Sequence, residues 1–351
     1  MPGYYRYPTI HEDAVVFVAE DDLWRVDVSG GTARRLTANL GEVTRPCLSP
    51  DGSRLAFTGK EEGPWEIYCM PSEGGTAERI TYLGGFAGAV GWTPDAEKIL
   101  FSSNHAQPFR ARQRIFQIAP QGGSPEVLPI GSALTVSHGP QGGMVLGRNC
   151  LDSARWKRYR GGLSGDLWID RDGDGDFQRL LQLDGNPTCP LWLDERIYFV
   201  SDHEGIGNLY SCDLFGQDLT RHTEEDAFYV RNPSSDGRRV VYHAGAELCV
   251  FDLPAGKPRR LEIDFRSPRV QNNRKFVPAA RFMDDYAPHP HGKGLAICTR
   301  GKILAAPFWE QAPRQYGEPQ GVRYRCPRWL HDGLRLLAVT DQHGDERLDR
   351  K

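Results

Sequence analysis

Residues 49–58 read SPDGSRLAFT, a turn followed directly by a short strand of apolar and β-branched residues. Asp, Gly and Pro are the residues that tight turns prefer, and a run such as Leu55-Ala56-Phe57-Thr58 is typical of a buried strand. A second apolar strand follows at residues 67–69, and residues 78–81 (ERIT) then form a basic strand that ends in Thr. An extended segment before the turn, at residues 44–48, completes a unit of four short strands.

This four-strand unit occurs six times between residues 7 and 262. The turn of each unit contains one marker residue, and the six markers are Asp13, Asp51, Asp95, Gln141, Asp194 and Asp236. Their spacings are 38, 44, 46, 53 and 42 residues. A period of roughly 40–50 residues with four strands in each period is the signature of a β-propeller blade. The sequence therefore predicts an all-β fold with a six-bladed propeller over residues 1–265.

The order of strands within the units predicts how the ring closes. Every unit begins with the segment before its turn, and the first such segment, residues 7–10, lies at the start of the chain. No unit therefore needs to borrow a strand from another. We expect the first blade to pack against the sixth blade without strand exchange.

The repeat lapses after Asp264 and then resumes. Residues 266–281 are polar and contain Pro268 and Pro278, so we interpret them as a linker. Residues 282–351 are expected to contain the first blade and part of the second blade of a second, truncated β-propeller. In this interpretation the strand at residues 334–340 is an unpaired edge, because the chain ends at Lys351 where the next strand should begin.

Composition and charge exclude several classes of function. The net charge is −3 and charged residues make up 25% of the chain, so no large positive field is available to attract nucleic acid. No apolar stretch has the length of a signal peptide core or of a membrane span. The eight Cys residues form no C-x-x-C pair, which favours reduced thiols in a cytoplasmic protein.

Two long basic loops are the strongest candidates for a binding site. Residues 104–114 and 148–165 each connect two strands and are too long for a tight hairpin, so we expect them to project from one face of the ring. They are predicted to form a positive rim that attracts peptide carboxylates, consisting of Arg110, Arg112, Arg114, Arg155, Lys157, Arg158 and Arg160. The alternative is that both are surface loops whose arginine stems pack on neighbouring blades.

Three other motifs contain residue types that bind metals or act in catalysis. Residues 170–176 (DRDGDGD) imitate the start of a calcium loop, but Leu181 stands where the bidentate Glu of an EF-hand belongs. They also suit a hairpin turn, so a turn and a weak cation site both stay open. His289-Pro290-His291 lacks a third ligand nearby, and Ser137-His138 lacks a nucleophile elbow. We expect no catalytic residue, metal site or cofactor in this chain.

Several longer strings carry a resemblance to a known family. In order along the chain, they include Pro8-Thr9-Ile10-His11, Asp21-Asp22-Leu23-Trp24, Trp156-Lys157-Arg158-Tyr159-Arg160, Arg196-Ile197-Tyr198-Phe199 and Asp213-Leu214-Phe215-Gly216. With these strings the chain resembles the amino-terminal region of tricorn proteases. Propellers of the TolB type share only the Pro-Asp-Gly turn and the Ile-Tyr strand.

The resemblance implies a six-bladed propeller followed by a seven-bladed one. It also implies a cytosolic, hexameric serine peptidase that cuts short peptides released by the proteasome or similar proteases, with propellers that act as channels for peptides. In the family the catalytic residues lie in a later region, so none is carried over. Loop 83–87 (LGGFA) lacks the basic pair that we associate with anchoring the substrate carboxyl terminus. The alternative function is a stand-alone TolB-like propeller that serves as a protein-interaction scaffold.

Overall fold

The computed structural model describes residues 4–38, 41–109, 111–254, 256–269 and 279–350. The chain forms two compact units, Met1–Gln271 and Asn272–Lys351. Within the described ranges, no helix has the length and apolar character that crossing a membrane requires.

The first unit contains six blades, each with four antiparallel strands whose spatial order follows sequence order, and the sheet of blade 1 gains a fifth, parallel strand. Blades 1 to 3 consist of β1 (Arg6–His11), β2 (Ala14–Ala19), β3 (Asp22–Asp27), β4 (Gly30–Arg35), β5 (Val43–Leu48), β6 (Arg54–Gly59), β7 (Glu66–Pro71), β8 (Glu78–Arg79), β9 (Ala87–Trp92), β10 (Ile99–Ser103), β11 (Arg114–Ile118) and β12 (Glu126–Ser132). Blades 4 to 6 consist of β13 (Thr135–His138), β14 (Met144–Arg148), β15 (Asp166–Asp170), β16 (Gln178–Arg179), β17 (Thr188–Leu193), β18 (Arg196–Ser201), β19 (Asn208–Asp213), β20 (Thr220–Arg221), β21 (Val230–Ser235), β22 (Arg239–Ala244), β23 (Glu247–Asp252) and β24 (Arg259–Arg260). Two 3-10 helices, Pro140–Gly142 and Ser153–Trp156, lie in connecting segments. The predicted six-bladed all-β fold is confirmed.

The second strand of each blade explains why the blades assemble into a ring. All six residues of β2 are buried, and their side chains alternate between its two faces. Val15 and Phe17 pack in one apolar cluster with Val241 of blade 6, whereas Val16 packs in another with Phe57 of blade 2. Each blade therefore has two apolar faces, and each face needs a neighbouring blade to cover it.

A threonine at the end of the fourth strand ties the outer strands together. In blade 2, the hydroxyl of Thr81 accepts the backbone N–H of Ile67 (2.9 Å) and donates to the buried carboxylate of Glu66 (2.5 Å). Arg79 also contacts Glu66, at 3.3 Å. The same pair of hydrogen bonds occurs in blades 1 and 5, through Thr37, Leu23 and Asp22 and through Thr223, Leu209 and Asn208.

Ring closure follows the prediction and adds a contact that the sequence analysis missed. Strand β1 pairs with β2 of its own blade, so the prediction of no strand exchange is confirmed. After blade 6, however, the chain returns to blade 1, where β25 (Ile263–Asp264) pairs in parallel with β4. The backbone N–H of Gly31 donates to the carbonyl oxygen of Glu262 at 2.8 Å. We call residues 262–269 the closing segment.

The closing segment also packs on blade 1 through side chains. The ring of Phe265 lies 4.5 Å from the ring of Trp24 and 5.4 Å from that of Tyr5, measured between centroids. Ser267 donates a hydrogen bond to Glu20, and Arg269 forms an ion pair with the same carboxylate at 3.5 Å. Of the residues predicted to form a linker, 266–269 thus contact blade 1, and 270–278 lie outside the described residues.

The second unit contains two sheets. A short helix, α1 (Ala279–Phe282), precedes a four-stranded sheet and a three-stranded sheet formed by β26 (Met283–Pro288), β27 (Gly294–Thr299), β28 (Lys302–Pro307), β29 (Arg314–Tyr316), β30 (Tyr324–Trp329), β31 (Leu336–His343) and β32 (Asp345–Arg350). The two sheets share an apolar cluster around the fully buried Tyr324, which includes Ala287, Ile303 and Leu336.

One expectation for the second unit is wrong. The strand expected at residues 334–340 is not an unpaired edge, because β31 pairs with β30 on one side and with β32 on the other. The sequence of β32, DERLDR, has only one apolar residue, and all six of its residues are exposed or partly exposed. A strand without a buried face carries no hydrophobic pattern, so β32 could not be predicted from periodicity.

We expect Phe265→Ala to destabilise the first unit by about 1–3 kcal/mol, because the substitution removes a partly buried ring from Tyr5 and Trp24. Urea unfolding followed by circular dichroism measures the change. The matched control is Phe215→Ala, since Phe215 is 67% exposed and its loss should change the free energy of unfolding by less than about 0.5 kcal/mol. Equal effects of the two substitutions would show that the closing segment does not stabilise the ring.

We expect Thr81→Val to cost about 1–3 kcal/mol, because the buried Glu66 carboxylate loses a donor and the Ile67 N–H loses its acceptor. Thermal and urea unfolding of the purified chain measure this loss. Thr76→Val is the control, since Thr76 is an exposed threonine between the third and fourth strands of the same blade. A Thr81 variant as stable as the control would contradict the role assigned to this hydroxyl.

Candidate functional site at the central channel

The first strands of the six blades surround a narrow central channel. A cavity of about 150 Å³ lies on this axis and is lined by residues from every blade. The lining residues are Tyr7, Pro8, Arg45, Pro46, Cys47, Ala89, Val90, Thr135, Val136, Leu151, Cys189, Pro190, Leu191, Asn232, Pro233 and Ser234. Most of these side chains are apolar, and Arg45 is the single charged residue among them.

Four of the first strands share one irregularity that shapes the channel. Tyr7, Arg45, Cys189 and Asn232 each have a positive φ, between 48° and 53°, and each precedes a Pro. The pairing register shifts at each of these positions, as it does at a β-bulge. Because Pro has no backbone N–H, the bulge adds no unpaired donor at that position. The repeated bulge places one side chain from each of four blades in the channel lining.

The long loop at residues 149–165 reaches this channel. Its Leu151 is part of the cavity lining, and the thiol of Cys189 donates a hydrogen bond to the carbonyl oxygen of Leu151 at 3.2 Å. Next in sequence, Asp152 forms an ion pair with Arg231 of blade 6 at 2.5 Å and accepts from its Nε at 3.0 Å. The carboxylate also accepts the N–H of Ala154 (3.1 Å) at the start of the short 3-10 helix. The loop is thus tethered to blades 5 and 6 at the channel.

Burial sets the protonation of the groups in the channel. It raises the pKa of the Cys47 and Cys189 thiols to about 12, so both are protonated at neutral pH. Burial lowers the pKa of Arg45, and its guanidinium carbon lies 5.3 Å from the centre of the Phe86 ring. The channel therefore contains protonated thiols and one arginine in a mostly apolar lining.

The residues predicted to form a basic rim have different environments. Arg110 lies outside the described residues, Arg112 and Arg155 are exposed, and Arg114 begins β11 and is partly buried. Lys157, Arg158 and Arg160 belong to the second loop and are also exposed.

These three basic residues of the second loop differ in their contacts: in the described part of the chain, the side chain of Arg160 is paired with carboxylates, whereas those of Lys157 and Arg158 are not. Lys157 lies 5.5 Å from the ring centre of Tyr229. Arg158 donates its backbone N–H to Asp202 (2.7 Å), and its exposed guanidinium forms no ion pair with the residues that the structure describes. Arg160 forms ion pairs with Asp184 (2.8 Å) and with the buried carboxylate of Asp202 (3.6 Å), as the packing alternative predicts for this side chain.

Topology places both basic loops on one face of the ring. Each loop connects the second and third strands of its blade, and these connections share a face because the first strands of a propeller run in the same direction. On this face, Lys157 and Arg158 line a cavity of about 430 Å³ together with Tyr4, Phe228, Tyr229 and Arg231. A cavity with cationic and aromatic walls suits a ligand that carries a negative charge and an apolar side chain.

The other motifs have structural roles in the part of the chain that is described. Asp170 is buried, and its two carboxylate oxygens accept the N–H groups of Gly173 (2.9 Å) and Gly175 (3.0 Å), as in a turn. Ser137 accepts the backbone N–H of Trp192 at 2.9 Å and thereby connects blades 4 and 5. Within the described ranges, no three His, Cys, Asp or Glu side chains come together as a metal site.

One serine–histidine contact was not predicted. The hydroxyl of Ser211 lies 2.8 Å from Nε2 of His222, but Ser211 is fully buried inside blade 5 and also accepts from Arg196 at 2.9 Å. A nucleophile must reach its substrate, so we assign this pair a structural role.

Sequence reasoning also missed the residues that define the channel, namely Arg45, Leu151, Asp152, Cys189 and Arg231. A usable signal was present, because the pairs Tyr7-Pro8, Arg45-Pro46, Cys189-Pro190 and Asn232-Pro233 occur at the same place in four first strands. Proline inside a strand marks a bulge or an edge. No such signal exists for the contact between Asp152 and Arg231, which are 79 residues apart.

Six blades are arranged around an axial cavity, and no strand is exchanged between the first and the last blade. The first unit is therefore a six-bladed β-propeller whose ring closes without a shared strand. Residues 2–257 match the family model described as the tricorn protease N-terminal beta propeller domain. The chain belongs to the tricorn protease family.

Individual relatives extend the similarity to almost the whole chain. Tricorn protease homolog 1 of Streptomyces coelicolor is 40% identical over 99% of this chain and 33% of its own length. The tricorn protease homolog of Saccharolobus solfataricus is 36% identical over 97% of this chain and 32% of its own length. A crystal structure of the tricorn protease matches with a TM-score of 0.80 at 27% identity, over 100% of this chain and 35% of that one. The chain thus spans about a third of the length of these relatives.

We expect Asp152→Asn to loosen the loop at the channel, because a neutral amide replaces one partner of the ion pair with Arg231. The readout is alkylation of Cys189 by iodoacetamide at pH 8, followed by mass spectrometry. In the unaltered chain this reaction should be slow, because only about one thiol in ten thousand is ionised four pH units below a pKa of about 12. The substitution should accelerate the reaction by about tenfold or more.

Two controls accompany the alkylation measurement. Cys212 is fully buried in blade 5 away from the loop, so its rate in the same sample reports any general unfolding. Asp166→Asn removes a comparable ion pair, with Arg179, that does not involve the channel. Equal Cys189 rates in the Asp152 and Asp166 variants would show that the ion pair does not hold the loop.

Proposed function

We propose that the six-bladed propeller is a peptide channel with a gate, in a tricorn-type serine peptidase that acts on short peptides. The observation that carries this proposal is the position of Leu151, which extends from the 149–165 loop into the lining of the axial cavity. A loop that enters a channel can control what passes through it.

The size of the cavity supports a gate that must open. A cavity of about 150 Å³ holds a molecule the size of benzene, which is smaller than most amino-acid residues in a peptide. Passage of a peptide therefore requires the loop to move away from the axis. Beside the channel the loop is held by the Asp152–Arg231 ion pair and the Cys189 hydrogen bond, and neither is covalent.

The basic-aromatic cavity beside the loop is the proposed docking place for peptides. At neutral pH every peptide with a free carboxyl terminus carries a negative charge, which cationic side chains attract. Lys157 and Arg158 line this cavity, whereas Arg160 is compensated by Asp184 and Asp202. We therefore assign the main attraction to Lys157 and Arg158, with Arg112, Arg114 and Arg155 as further contributors on the same face, and we retain Arg110, which lies outside the described residues, as a proposed member of the rim.

Other parts of the proposal follow from family membership. We propose a cytoplasmic protein that assembles with further copies of itself, as a hexamer, and receives peptides from the proteasome or similar proteases. We also propose that residues 1–265 form the channel domain, that residues 266–281 connect it to the next domain, and that residues 282–351 belong to a second propeller.

We expect Arg158→Glu to weaken the binding of a fluorescent tetrapeptide with a free carboxyl terminus by about threefold to tenfold at low salt. Fluorescence anisotropy measures the dissociation constant, and the effect should shrink at high salt because the attraction is screened. Arg160→Glu should alter binding less and stability more, since Arg160 serves two carboxylates.

Two comparisons test this interpretation. The same tetrapeptide with an amidated terminus should bind weakly to all variants. Arg238→Glu is the matched control, because Arg238 is an exposed arginine in the strand 1–2 turn of blade 6, on the other face of the ring. If Arg158→Glu and Arg238→Glu bind the peptide equally, the rim has no role in recognition.

A further inference from the structure

Arg45 is the one charged side chain in the lining of the axial cavity, and it has no carboxylate partner among the described residues. The ionisable groups with the largest effect on it are Tyr7, Cys47, Cys189 and Arg155, that is, a phenol, two thiols and a second arginine. Both thiols are protonated at neutral pH because burial raises the pKa of each to about 12. No anion of the described chain therefore balances this charge.

An uncompensated guanidinium inside a protein is unusual because a desolvated charge costs free energy unless a counter-charge or hydrogen bonds offset it. The bulge at Arg45, with φ of 50°, places the side chain in the channel lining, and Phe86 lies beside the guanidinium. The Arg45 side chain is only partly exposed, and Arg45 belongs to the cavity lining. A ligand in the cavity is in the right place to supply the missing negative charge.

We propose that this cavity is a binding site for a small monovalent carboxylate, held by the guanidinium of Arg45. The planar guanidinium matches a carboxylate through two parallel N–H···O hydrogen bonds. The remaining walls, which include Val90, Val136 and Leu191, suit a short apolar tail. One cation among apolar walls favours a monoanion over a doubly charged phosphate, which needs more donors.

Asn232 provides a second polar group in the same cavity. Its amide oxygen is buried without a hydrogen-bond partner in the structure. Rotation of the amide by 180° places the NH₂ group at that position instead, where it can donate to a bound anion. An unsatisfied amide and an unpaired guanidinium in the lining of one cavity are consistent with a site that a polar ligand completes.

The cavity volume distinguishes two possible ligands, a free short-chain carboxylate and the carboxyl terminus of a peptide. About 150 Å³ accommodates acetate or propionate, whereas the carboxyl terminus of a peptide reaches Arg45 only after the 149–165 loop has moved. We assign the site to free short-chain carboxylates. This inference does not depend on the proposed passage of peptides, since the site stands on the cavity, Arg45 and Asn232.

The test is a titration of the 351-residue chain with sodium acetate at constant ionic strength, in which acetate replaces chloride. Isothermal calorimetry and thermal unfolding follow the binding. The unaltered chain should bind acetate with a saturable heat signal, and its melting temperature should rise with acetate concentration. Arg45→Gln should weaken the binding at least tenfold and remove the rise in melting temperature. Arg238→Gln, at an exposed arginine outside the cavity, should keep both.

Further variants keep the test decisive. Arg45→Lys retains the charge on a different side chain and should show a weaker rise in melting temperature, which separates loss of the cation from loss of the fold. Arg45→Leu removes the uncompensated charge and should melt at or above the temperature of the unaltered chain when acetate is absent. The proposal is overturned if the unaltered chain does not respond to acetate, or if Arg45→Gln responds equally.

A blocked peptide distinguishes the two sources. N-acetyl-trialanine, whose carboxylate is attached to a larger body, should bind at Arg45 more weakly than acetate at the same concentration. Tighter binding of the peptide, lost in Arg45→Gln, would overturn the assignment to short-chain carboxylates. Failure of the peptide-docking prediction at Arg158 would leave the acetate result unaffected, so the two proposals can fail separately.

Discussion

The two-sided burial of each blade is the constraint on which the first unit depends. Because β2 sends Val15 toward blade 6 and Val16 toward blade 2, no blade can be removed without exposing two apolar surfaces. The ring must therefore close, and the weakest point of a ring is the joint between its first and last members. In this protein the closing segment strengthens the joint in two ways. Strand β25 pairs in parallel with β4, the fourth strand of blade 1, and Phe265 packs against Tyr5 and Trp24.

The fold was predictable where a pattern repeats, and hidden where a contact occurs once. Turns such as Ser49-Pro50-Asp51-Gly52 and the apolar strands after them recur six times, so blade number and strand order could be read from the sequence. The two-residue strand β25 has no periodicity of its own, and β32 has no apolar face. Both form through tertiary pairing, which overrides what the local sequence prefers.

Part of the candidate site could also be predicted from the sequence, and part could not. The length and charge of the 149–165 loop were visible in the sequence, and they predicted that Lys157 and Arg158 belong to a basic rim. That Leu151 enters the channel was not visible, since its position depends on Asp152 meeting Arg231 of blade 6. Charge patterning also could not identify Arg45, because one arginine in a strand looks ordinary until the other five blades enclose it.

The repeated bulge before proline separates the residues that line the channel from most of the residues that pack the blades together. Arg45, Cys189 and Asn232 lie in the channel lining but outside the apolar clusters that hold the blades together. A substitution at one of these three positions changes the bore or the charge of the channel and removes no side chain from those clusters, whereas Tyr7, the fourth bulge residue, packs against the cluster shared by blades 1 and 2. Relatives of this chain can thus differ in which molecules enter the channel while the propeller fold stays the same. The lining residues could also be substituted one blade at a time in an engineered protein.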